Sequence, residues 1–135
     1  MRKPINKFKD LTQLRECAKY YIELLGLQDW VIQFRISNDI EKNCAGYNDS
    51  VFENKSSLIT LTKDIPENKF FNSPQECTLI HELLHCKYPI KFKNDYYESE
   101  MVADVQHQLL DDMARAIYKA RYNLTNECFR GNGEE

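Results

Sequence analysis

Apolar and polar residues recur along the chain in two different periods, and the switches between them mark out its elements. From Asp10, the segment DLTQLRECAKYYIELLGL places Leu11, Leu14, Ala18, Tyr21 and Leu25 at helical spacing. Asp10 and Gln13 supply the two halves of a capping box, and Gly26 stands where such a helix stops. WVIQFRIS then changes to a period of two. Trp30, Ile32, Phe34 and Ile36 share one face against Gln33, Arg35 and Ser37 on the other, as in a half-buried strand. After a polar turn at 38–43, CAGYNDSVFE predicts a weaker strand or hairpin arm and SLITLT, at 57–62, a stronger one. These pieces predict a small, mostly antiparallel three-stranded sheet, with SLITLT taken as its exposed edge.

Ser73, Pro74 and Glu76 then spell a helix start: a serine cap, proline at the first helical position and glutamate three residues after the cap. That helix is expected to run to Tyr88, ahead of Pro89. The longest periodic segment, 96–122, predicts a helix with Val102, Val105, Leu109, Met113 or Ala116, and Ala120 as its apolar stripe. Arg115, Lys119 and Arg121 lie towards its C-terminal end, which favours cations. Residues 1–9 and 123–135 read as loose ends. The order is helix, strands, helix, helix, an α+β plan in a single domain spanning 1–135.

Composition narrows the function classes. At 135 residues the chain has the size of one domain. Its 18 Lys and Arg against 21 Asp and Glu make a net charge of −3, which gives no electrostatic case for nucleic-acid binding. No apolar run approaches the roughly 18–20 residues of a membrane span. The basic opening MRKPINKFKD leads into no apolar stretch of the secretory kind, so a cytoplasmic protein is expected. Cys17, Cys44, Cys77, Cys86 and Cys128 are odd in number and form no CxxC pair, which reads as reduced thiols.

The chemistry is concentrated in HELLH. His81 and His85, two of only three histidines, are four residues apart on the helix that follows Pro74. Both imidazoles therefore leave one face and can reach one zinc ion at about 2.0–2.1 Å. Glu82 follows the first ligand and lies beside the metal, placed to take a proton from water. A third ligand is sought on the next helix. Glu100 is the first candidate, Glu98 its main competitor and Asp104 the next, while Asp104, one turn beyond Glu100, could also hold the ring N–H of a liganding histidine. His107, Tyr96 and Tyr97 are candidates for contact with substrate or with the transition state, as is Tyr88 for the latter.

HELLH in a short helix, preceded by a small sheet and followed by a helix bearing EMVAD at 100–104, resembles the minimal zinc metallopeptidases, the zincins. EMVAD with Leu109 and Leu110 is similar to the ExxA(N/D) segment of the ImmA/IrrE family, whose members cleave repressor-type proteins. LGLQDW, Gly46 and SLITLT are more distantly similar to the front of SprT-like metallopeptidases, which would place a third histidine after HExxH. The resemblance covers about residues 10–115. It implies a minimal zincin-like domain holding one zinc ion through His81, His85 and Glu100, with Glu82 as general base, that hydrolyses a protein or peptide substrate, a repressor-type regulator among the possibilities. The alternative is a zincin-fold regulatory or binding module with weak or no turnover that requires a partner protein.

Overall fold

In a computed structural model, residues 3–38, 45–65, 71–88 and 96–131 are described; for 96–100, 102 and 103 only the helical backbone is. Three helices, α1 (Leu11–Leu24), α2 (Gln75–Lys87) and α3 (Tyr96–Tyr122), pack with three strands, β1 (Val31–Ser37), β2 (Gly46–Val51) and β3 (Ser56–Thr62). The architecture is α+β, and no helix among the described residues is long and apolar enough to cross a membrane.

Helix α1 follows its sequence signals. Asp10 accepts the Gln13 N–H at 2.8 Å, and the Gln13 side chain accepts the Lys9 N–H at 2.9 Å. At the other end Gly26 has φ +71°, and Leu27 N–H returns to Ile22 at 2.9 Å, the left-handed stop that favours glycine. Leu14, Cys17, Ala18 and Tyr21 face the core.

The sheet departs from the expectation of a mostly antiparallel arrangement. Its order is β1-β3-β2, with β1 and β3 parallel and β2 and β3 antiparallel, so it is mixed. SLITLT lies within the central strand and not at the edge. Alternation fixes which face a residue takes but not which strand it pairs with. The middle strand, β3, is the most buried of the three, with Ile59, Thr60 and Leu61 fully buried, and the edges fall to β1 and β2. A tight 3-10 turn, Phe52–Asn54, closed by Lys55 in the left-handed region, folds β3 back beside β2.

Helix α2 begins one residue later than its cap signal suggests. Pro74 has an extended ψ of 138°, and the Ser73 hydroxyl does not cap the helix but lies 3.4 Å from Thr78 Oγ1. The lead-in expected to be loose does the capping instead: the carbonyls of Asn6 and Ile5 accept the N–H groups of Gln75 and Glu76 at 2.8 and 3.3 Å. Glu76 is thereby released from a capping box and turns inward. Its carboxylate, fully buried, accepts the Ile5 N–H at 2.9 Å, the hydroxyls of Tyr21 and Tyr122 at 2.5 Å each, and the Arg121 guanidinium at 3.1 Å. One charge so ties the lead-in, α1, α2 and α3 together.

Helix α3 buries Leu110, Ala114 and Tyr118, whereas Val105 and Leu109, expected in its stripe, are about half exposed. The observed apolar face lies about one position out of phase with the expected one, and among the described side chains α3 meets the core from Leu110 onward. The stretch after it, also expected to be loose, folds back as a 3-10 turn, Asn126–Phe129, with Phe129 buried and its carbonyl accepting the Asn72 N–H at 2.6 Å.

Candidate metal centre

Helix α2 carries His81, Glu82 and His85, and α3 packs across it so that His107 completes a cluster. The ligand nitrogens of His81, His85 and His107 all lie within 4.8 Å of one another. Nε2 of His81 and Nε2 of His85 are 3.2 Å apart. On a tetrahedral zinc with bonds of about 2.0–2.1 Å, neighbouring nitrogens are separated by about 3.3 Å, so this pair fits the ion. Two imidazole nitrogens converging in this way are otherwise unfavourable unless a proton or a cation lies between them. The donor set, three imidazoles, suits zinc.

The third histidine, His107, is expected from the sequence to touch substrate, the transition state or the outer side of a ligand, not the ion itself. Glu100, Glu98, Tyr96 and Tyr97 have side chains outside the described residues. Asp104 is exposed and bears on His107 only through its charge. The carboxylate beside His81 is Asp111, whose Oδ1 lies 3.1 Å from His81 Nδ1. This contact is at ion-pair distance but off the line of a good hydrogen bond. Asp111 was not among the sequence candidates, although His107, Asp111 and Arg115 recur every four residues and share a face of α3 with Asp104.

Electrostatics separate the roles of these groups. Burial pushes the Glu82 carboxyl up to about 7, while the His81 charge pulls it down and Asp111 adds to the rise. Burial pushes His85 down to about 4, assisted by the charges of His81 and His107, so its ring is neutral with a lone pair to give. His107 is also lowered, first by burial and then by His81. For His81 burial works downward, but the Asp111 and Glu82 carboxylates outweigh it and the net shift is upward. Asp111 is lowered chiefly by the His81 ring beside it, against its own desolvation.

Strand β2 supplies the opposite wall. Gly46 leaves room for the Glu82 carboxylate, and Asn48 Nδ2 donates to the Glu82 backbone carbonyl at 2.8 Å, which locks β2 to the middle of α2. Ser50 donates to Asn48 Oδ1 and so orients that amide. An open cavity of about 730 Å³ runs between β2 and α3, with His81, Glu82 and His85 in its floor.

No family model matches the chain, and no curated protein or solved structure is significantly similar to it.

Proposed function

We propose that this chain is a zinc-dependent metallopeptidase of minimal zincin type, with His81, His85 and His107 as the metal ligands and Glu82 as general base. The observation that carries the reading is the convergence of three imidazoles beside a buried glutamate at one wall of an open cavity. A zinc ion held there would supply Lewis acidity and a water of lowered pKa. Glu82, buried beside the ligands, would accept the proton of the attacking water and pass it to the departing amine. Asp111 holds the far side of His81 and keeps its Nε2 towards the ion.

The substrate is a protein or peptide segment in extended form. Among the described residues β2 pairs on one side only, with β3, and Tyr47 to Ser50 line the cavity, so an added strand would run past Glu82. A repressor-type regulator, suggested by the likeness of EMVAD to ImmA/IrrE proteins, is one such substrate. Among the described residues Cys17, Cys77, Cys86 and Cys128 form no disulfide, which accords with a cytoplasmic location.

Metal analysis of protein purified without added zinc tests the reading: about one equivalent per chain is expected, falling sharply in His81→Ala and His85→Ala. Parent protein that takes up no zinc on dialysis against the ion would overturn it.

A further inference from the structure

The cavity does not end at the metal centre. Phe71, Ser73, Pro74, Phe129 and Arg115 also line it. The Arg115 guanidinium carbon lies 4.6 Å over the Phe71 ring and 5.5 Å from Phe129, whose two rings stack on each other. The aromatic pair braces the plane of the cation, and Nη2 donates to Asp111 Oδ2 at 3.2 Å. Among the described residues this is the one hydrogen bond Arg115 makes, although its group carries five N–H donors and its side chain is 35% exposed. Arg115 is also the one Lys or Arg among the described residues lining the cavity, where Asp111 is its ion-pair partner and Asp49 a further acid.

A braced guanidinium with unused donors at the wall of a cleft matches a carboxylate, which can take two parallel N–H bonds from it. Arg115 lies eight positions beyond His107 on α3, which is about 12 Å along the helix and corresponds to about three or four residues of extended chain. We propose that Arg115 forms a carboxylate-binding subsite that selects peptides bearing an acidic side chain, or a free C-terminus, about three or four residues from the cleaved bond. The proposal rests on the peptidase reading above and deepens it. The same residue also holds Asp111, so occupation of the subsite is coupled through Asp111 to His81.

The test uses alanine-rich peptides in which a single Glu or Gln is moved along the chain, all amidated, and an all-neutral peptide with a free C-terminal carboxylate beside its amide. Cleavage by the zinc-loaded parent is followed by mass spectrometry. Binding of the same peptides to zinc-loaded Glu82→Gln is followed by calorimetry. The parent should favour Glu over Gln at the matching position by about tenfold or more. That ratio should fall to about one in Arg115→Gln and return in part in Arg115→Lys, whatever the absolute rates. A preference for the free terminus over its amide would identify the chain end as the source of the carboxylate. Equal cleavage and binding of Glu, Gln and free-terminus peptides by protein with native Arg115, or a preference that survives in Arg115→Gln, overturns the subsite. Carboxylate-selective binding without cleavage would instead sink the peptidase reading and leave the subsite standing. Absence of both binding and cleavage overturns the two together.

Discussion

Gly46 and Glu82 are mutually fitted: a Cβ on residue 46 would stand 3.1 Å from Glu82 Oε2, 3.0 Å from Thr78 Cγ2 and 3.1 Å from Leu61 Cδ2. The general base of the proposed reaction keeps its place because the edge strand carries no side chain opposite it. Gly46→Ala should therefore displace the carboxylate by a few tenths of an ångström. The expected result is a ten- to hundredfold fall in activity with zinc retained, since small misplacements of catalytic groups are costly. The overpacking should also cost about 1–3 kcal/mol of stability, read from urea denaturation.

Glu76 lies in the same helix as the site but serves the fold. Glu76→Ala strands the hydroxyls of Tyr21 and Tyr122, the Ile5 N–H and the Arg121 charge, all of which it satisfies. Removing one partner of a buried ion pair costs about 3–5 kcal/mol, so the midpoint of denaturation should fall markedly. Glu76→Gln keeps an acceptor and should fall between this variant and the parent.

The phenols of Tyr21, Tyr118 and Tyr122 are held above the ordinary tyrosine range, in each case first by burial, with Glu76 adding to the rise. Folded protein thus keeps these protons where unfolded chain has lost them. Their contribution to stability is complete below about pH 10 and is lost as pH rises further. In a titration of absorbance at 295 nm, three of the eight tyrosines should ionise only together with the loss of far-UV circular dichroism.

Zinc affinity separates the two candidates for third ligand. His107→Ala should weaken binding more than Asp111→Asn, which removes the charge beside His81 and should cost about 10–100-fold. Glu100→Ala should bind zinc as the parent does. Competition against a chelating dye measures all three, and the reverse pattern, loss in Glu100→Ala with His107→Ala unchanged, would return the ligand role to Glu100.

How far the site was legible follows from the distance between its parts. His81, Glu82 and His85 lie within one turn and a half of one helix, so spacing alone brings them to one face. His107 and Asp111 lie on another helix, and which of its turns meets α2 is decided by packing; the exposed Val105 and Leu109 show how readily that phase is misread. The α+β order was readable from periodicity, but the central place of SLITLT was not, because alternation does not name a neighbouring strand. Glu76 was misassigned for a different reason. Its local setting spells a cap, and partners from three distant segments override it.

The central claim is tested most directly by incubating zinc-loaded parent and zinc-loaded Glu82→Gln with a mixed peptide library and counting new termini by mass spectrometry. The account predicts cleavage by the parent and at least a hundredfold less by Glu82→Gln at equal zinc content, as loss of a general base entails. Equal cleavage by the two proteins, or none by the parent at full zinc occupancy, would contradict it.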